Sequence, residues 1–181
     1  MFLPMDEWIE VVNHQNQVVG KALRDRVHEK GLQHRSAHVF LFNLKGELFL
    51  QKRSKKKKEH PGYYDSSSAG HLDVAETYLA CATRELMEEL GIQVDVLVKM
   101  GIQKTTDGRS IEHAMLYLSK SDQIPKPNTR EVESGQYFSR DQIDTWILEG
   151  GENLTPAFLT LFQGFRSQLE RFCQNEDQKS Y

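Results

Sequence analysis

From Gly70 to Ile92 the chain reads GHLDVAETYLACATRELMEELGI, a glycine-bearing loop running into one helix, and no other stretch restricts the fold and the chemistry so strongly. On a helix advancing about 100° per residue, Glu88 and Glu89 fall within roughly 60° of Glu85 on either side, so three carboxylates share one face. Leu79, Ala82, Leu86 and Leu90 fall on an adjacent face, which predicts a buried side against a sheet. Thr77 supplies an N-cap and Gly91 a C′ stop. Like charges at i,i+4 oppose one another on an exposed helix, so Glu85 and Glu89 gain nothing locally unless a cation joins them. Carboxylate oxygens at this density suit a hard cation such as Mg²⁺ that completes its shell with substrate phosphates. A solvated acidic face is the plainer alternative.

The spacing sharpens the reading. Gly70, five residues, Glu76, seven residues, then Arg84-Glu85-Leu86-Met87-Glu88-Glu89-Leu90-Gly91-Ile92 resembles the Nudix box at every defined position, a match that average residue usage would give at on the order of one start in a billion. The resemblance implies a loop-helix-loop that holds Mg²⁺ or Mn²⁺ and hydrolyses a diphosphate linked to another moiety. It implies Glu85, Glu88 and Glu89 as metal ligands or water activators, the Gly70 carbonyl as a further ligand, and Arg84 with Glu76 as the ion pair that orients the helix.

The 181 residues fit a single domain, and a net charge of −3 with pI near 6.2 argues against a dedicated binder of nucleic-acid polymers. Cys81 and Cys173 give neither a disulfide framework nor zinc spacing. No apolar run approaches membrane-spanning length, and the start MFLPMDEW is too short and acidic for a signal peptide, so a soluble cytoplasmic protein is expected, as monomer or homodimer.

Along the chain, residues 8–22 read as a hairpin and 23–35 as a polar connection with one helical turn. Residues 39–42 and 47–53 read as two strands of a second hairpin, turned at Asn43–Gly46. In the basic run 52–58, Lys55 to Lys58 read as a solvated loop, whereas Lys52 and Arg53 end a strand aimed at the box and are candidates for holding the leaving phosphate. Residues 66–71 deliver Gly70 as a short strand. After the helix, 94–102 and 111–119 read as strands around a loop at 104–109, 132–138 as a weaker strand, and Ser139-Arg140-Asp141-Gln142 as a capping box opening a helix to Leu148. Thr155-Pro156 then starts one long C-terminal helix to about residue 174, striped by Phe158, Leu161, Phe162, Phe165, Leu169 and Phe172. The loops at 104–109 and 131–137 are expected to build the specificity pocket. The fold class is α+β, an α/β/α sandwich; the resemblance adds a mixed central sheet, with a core of about 35–145.

Outside the box, residues 8 to 175 resemble the isopentenyl diphosphate isomerase branch of the same superfamily. The resembling pieces are His34-Arg35-Ser36-Ala37-His38 leading to Leu41-Phe42-Asn43, Pro61-Gly62, Gly70-His71 and Glu112. In that branch the corresponding histidines and late glutamate bind a divalent metal, which makes His34, His71 and Glu112 a candidate second metal site, with His28 a looser match. Two departures separate this chain from the isomerases. Ala69 stands where they carry a catalytic cysteine, and the box is intact here but degenerate there. The expectation is therefore an Mg²⁺-dependent hydrolase of a nucleoside diphosphate derivative or similar small molecule, with Glu85 or Glu112 as general base; an isomerase-like enzyme and a nucleotide-sensing module are the alternatives.

Overall fold

The computed structural model describes residues 7–106 and 108–174. Its elements run β1 (Trp8–Val12), β2 (Val18–Leu23), α1 (Arg24–Lys30), β3 (His34–Phe42), β4 (Leu48–Arg53), β5 (Tyr64–Asp65), β6 (Ser68–His71), α2 (Tyr78–Leu90), β7 (Val98–Thr106), β8 (Ile111–Lys120), β9 (Val132–Phe138), α3 (Arg140–Leu148), α4 (Pro156–Gly164) and α5 (Arg166–Gln174).

β3 is the axis of a mixed sheet. β8 runs parallel to it from His34↔Glu112 to Phe42↔Lys120, while its other edge is shared by β1 at His34, β6 at Ser36–Val39 and β4 at Phe42. Because side chains alternate along a strand, Ala37, Val39 and Leu41 face α2 and pack with Cys81, Ala82, Leu86 and Leu90. Phe40 and Phe42 face the other way, into a second core with Ile143, Phe158, Leu161, Phe162 and Leu169. Helices thus bury both faces of the sheet, giving the α/β/α sandwich. The same face that ends in Phe40 and Phe42 begins with His34, Ser36 and His38, and α4 covers only its aromatic half.

Several sequence expectations change. The second hairpin joins only at Phe42↔Leu48, because the Ser67 hydroxyl enters between β3 and β4, accepting from Leu41 N at 2.8 Å and donating to Phe49 O at 2.5 Å. The 23–35 connection holds the seven-residue α1, anchored by fully buried Val27. The strand placed at 94–102 begins at Val98, where pairing with Leu118 starts, and runs through Thr106, so Lys104 to Thr106 are strand; Asp107 lies outside the described residues. Leu79 is 51% exposed, and Cys81 takes its place on the buried face of α2. The C-terminal helix is two helices broken at Phe165: Gly164 lies so close to β7 that a Cβ there would sit 3.0 Å from Gln103 Nε2, and buried Phe165 packs against Gly101. Glycine also weakens a helix by about 1 kcal/mol relative to alanine. The aromatic stripe is core along its length, with Phe172 half-buried against Phe42.

Candidate functional site

β6 and the start of α2 build the loop that the box spacing marks. Thr77 Oγ1 accepts from Ala80 N at 3.2 Å, and Gly91 closes α2 with φ 63°. Arg84 ties helix to loop: Nε and Nη2 donate to the two Glu76 oxygens at 2.9 and 2.8 Å, Nη2 also reaches His71 O at 3.1 Å, and Nη1 meets Glu85 Oε1 at 2.6 Å and Glu88 Oε2 at 3.3 Å. Gly70 sits beneath Glu85. A Cβ at this position would lie 1.9 Å from Glu85 Oε1, so only glycine lets that carboxylate reach the strand.

The three helix carboxylates differ sharply in surroundings. Glu88 is exposed. Glu85 is 9% exposed, and burial, opposed by Arg84, pushes its carboxyl up to about 7. Glu89 is 2% exposed, accepting from Ala69 N at 3.0 Å and Gln51 Nε2 at 2.9 Å; burial and the neighbouring Glu85 push it up to about 8. Two buried carboxylates with raised pKa values beside an exposed third form a hard-oxygen donor set that exchanges protons for a cation, which fits a divalent metal.

Glu85 and Glu88 open onto a cavity of about 370 Å³. Its carboxylates (Glu7, Glu59, Asp65, Asp73, Glu85, Glu88, Glu112, Glu131) outnumber its Lys and Arg side chains (Arg24, Arg53, Lys57, Arg84) two to one, and each of those cations is already paired. Arg24 lies 3.4 Å from both Glu7 and Glu59, Arg53 3.2 Å from Asp65, and Lys57 2.6 Å from Glu131. Among the described residues the cavity has no lysine or arginine left unpaired for a diphosphate.

A second cluster forms where β3, β6, β8 and α1 meet. His28, His34 and His71 bring ring nitrogens within 4.8 Å of one another, and Glu112 Oε1 stands 3.4 Å from His34 Nε2 and 3.7 Å from His71 Nε2. His34 Nδ1 lies 3.1 Å from Leu32 O, a contact that orients the ring so that Nε2 faces the cluster. That Nε2 and both nitrogens of His28 are buried without hydrogen-bond partners among the described residues. Burial and the other two histidines lower His28 to about 4. Burial works against His71 too, but Glu112 and Glu7 outweigh it and raise its pKa; against its own burial, His34 and His71 hold Glu112 well below the usual carboxylate range. Unpartnered buried imidazole nitrogens beside a carboxylate fit a divalent cation.

The sequence-predicted residues are therefore sorted in space. Gly70, Glu85, Glu88 and Arg84 line the cavity with His71 and Glu112, and Glu89 lies behind them. Lys52 lies outside the cavity, paired with Glu133 at 3.5 Å and over the Tyr64 ring; strand alternation turns it away from Gln51, which meets Glu89. Arg53 lines the cavity but is held by Asp65. Lys57, read as loop, lines it in place of Lys52. Arg24 and Glu7 were not singled out from sequence and carry no motif; Ser36 and His38 entered only with the family resemblance, and they share a face with His34 because the strand expected at 39–42 starts at His34.

The NUDIX domain family matches residues 32–158. Isopentenyl-diphosphate Delta-isomerase 2 of Photorhabdus laumondii is 39% identical over 168 residues, covering 91% of this chain and 95% of that one. An uncharacterized Nudix hydrolase of Listeria monocytogenes is 41% identical over 93 residues, covering 51% of this chain and 54% of that one. The crystal structure of DR0079 from Deinococcus radiodurans is similar with a TM-score of 0.69 at 26% identity, covering 93% of this chain and 99% of that chain.

Proposed function

The chain belongs to the Nudix superfamily, in the branch that includes isopentenyl-diphosphate isomerases, and on that premise we propose that it is a divalent-metal-dependent hydrolase cleaving a diphosphate linkage in a nucleoside diphosphate derivative or similar small molecule. The observation that carries this reading is the cavity's charge: among the described residues its carboxylates outnumber its Lys and Arg side chains two to one and each of those is paired, which favours holding a diphosphate through metal. Mg²⁺ or Mn²⁺ on Glu85, Glu88, Glu89 and the Gly70 carbonyl would neutralise the phosphoryl oxygens and lower the pKa of the attacking water. Arg84 keeps Glu85 and the loop in register. Glu85, which faces the cavity beside Glu88, is the carboxylate we assign to accept the proton of that water. Glu112 is not, since two histidines hold it ionised and engaged. We assign His28, His34, His71 and Glu112 to a second cation, whose nitrogen-rich donors favour Mn²⁺ or Zn²⁺ over Mg²⁺.

Screening nucleoside diphosphates, nucleotide sugars, dinucleoside polyphosphates, coenzyme A and isopentenyl diphosphate with Mg²⁺, with products identified by mass, tests the reading. Cleavage of a diphosphate bond that a chelator abolishes is the expected result, and its absence across the panel overturns the assignment.

The isomerase relatives call for a direct comparison. Protonating an unactivated alkene needs a strong acid, and Ala69 offers none. The titratable residue paired with Ala69 is His38, which burial keeps neutral, its pKa lowered. Isopentenyl diphosphate incubated with Mg²⁺ in deuterated water should yield no deuterated allylic product. Label incorporated at an enzymic rate would move the chain to the isomerases.

A stability prediction follows from the raised carboxyls. Between the ordinary value of 4.5 and about 7 to 8, the metal-free folded state holds protons on Glu85 and Glu89 that the unfolded chain has lost, so stability falls as pH rises through that window. His28, lowered to about 4, acts oppositely only up to 6.5, and His71, raised above 6.5, adds to the fall. Melting in a chelator should show a lower midpoint at pH 8.5 than at 6.5, by the equivalent of about 2 kcal/mol, and Mg²⁺ should restore more of it at the higher pH. A midpoint that rises over this range would contradict the assignment of buried protons.

A further inference from the structure

Behind the box carboxylates, three strands form the cavity floor. Ser36 stands between His71 and Ala114, and His38 between Ala69 and Leu116. Two apart on one strand, Ser36 and His38 share a face about 7 Å from each other. Ser36 Oγ is buried, lines the cavity and has no hydrogen-bond partner among the described residues. His38 is 3% exposed and also lines it; Nδ1 meets Ser66 Oγ at 2.8 Å, and Nε2 has no partner among the described residues. Buried polar atoms are costly unless something completes them. Neither group is needed for metal-assisted attack of water on phosphorus.

The rest of the lining narrows what could complete them. Among the described residues its only apolar side chains are Ala69, Pro156 and Ala157. An isoprenoid tail would have no apolar wall among the described residues on which to bury its carbons, and a nucleobase no phenylalanine, tyrosine or tryptophan ring there, only imidazoles, to stack on. A hydroxyl, in contrast, both donates and accepts, so it satisfies Ser36 Oγ and His38 Nε2 in either imidazole tautomer.

We propose that the group attached to the diphosphate and seated on Ser36 and His38 is polyhydroxylated, a sugar or polyol, and that His38 selects it. This rests on the hydrolase reading above. Turnover of ribose 5-diphosphate, ADP and isopentenyl diphosphate tests it on the unmodified protein. kcat/KM for ribose 5-diphosphate should exceed that for isopentenyl diphosphate by at least about 30-fold, because a site built to bond hydroxyls rejects a partner lacking them, and adenine should add less than about tenfold. A smaller preference over the isopentenyl compound, or a larger gain from adenine, overturns the proposal while leaving the hydrolase reading intact. The methylene-bridged diphosphonates of the same three groups, titrated calorimetrically with Mg²⁺, should bind in the same order. If nothing is hydrolysed, the hydrolase reading falls and this order alone decides the proposal. His38→Leu should lower kcat/KM for ribose 5-diphosphate by about 100-fold and change isopentenyl diphosphate by less than about threefold; Ser36→Ala, the milder change, should lower the former about tenfold. Equal losses on both compounds would assign these residues to packing and overturn the proposal.

Discussion

Glu89→Gln should lower turnover of the best diphosphate substrate by on the order of 10³-fold while leaving the metal-free protein at least as stable as before. The two halves have one cause. Glu89 is 2% exposed and carries a pKa of about 8, so near neutral pH without metal it is already largely the uncharged acid. A glutamine amide resembles that form and keeps an oxygen to accept from Ala69 N and Gln51 Nε2, the bonds that hold Glu89 now. What glutamine cannot do is release a proton and become an anionic ligand. Glu85→Gln should behave similarly with one difference: Arg84 Nη1 loses the carboxylate at 2.6 Å, so this variant should also lose some stability. Steady-state kinetics beside chelator-treated melting curves separate the two terms. Turnover of Glu89→Gln within tenfold of the unmodified protein would remove Glu89 from the metal site.

What was legible in the sequence divides along physical lines. α2 could be read because period, N-cap and C′ glycine are local signals, and these fixed its ends at Thr77 and Gly91. Leu79 was misplaced for a non-local reason: the sheet takes the face of α2 that carries Cys81, Ala82, Glu85, Leu86, Glu89 and Leu90, and Leu79 is left 51% exposed. The histidine cluster lay beyond periodicity altogether. Residues 28, 34, 71 and 112 meet because β6 pairs Ser36 with His71 and β8 pairs His34 with Glu112, and strand register has no signature in a single chain segment. Only the family resemblance grouped three of these four. Lys52 shows the converse: alternation from Gln51 and Arg53 turned it away from the cavity, yet its charge drew the assignment. The break at Phe165 was hidden because Gly164 is required by a neighbour, Gln103, contributed by a distant strand.

Arg84→Met should destabilise the protein by about 2 kcal/mol and cut activity by about 100-fold, with Arg84→Lys recovering part of the stability and little of the activity. Arg84 is held charged, above all by its bonds to Glu76, and bridges a loop carboxylate, a strand carbonyl and two helix carboxylates. Its removal leaves Glu76 and Glu85 without their cation, a penalty reduced here because the Arg84 side chain is 27% exposed and water screens part of it. The loss in activity is geometric. Glu76 closes the turn by accepting from Asp73 N at 3.0 Å, and Arg84 fixes that turn to the helix with the paired bonds at 2.9 and 2.8 Å, so the Gly70 carbonyl and the Glu85 carboxylate keep their relative positions. Lysine restores a charge but cannot span both Glu76 oxygens and His71 O in one plane. Urea midpoints and kcat measured on both variants test the division: if Arg84→Lys recovers full activity, Arg84 acts only as a counter-charge, and orientation of the loop must come from elsewhere.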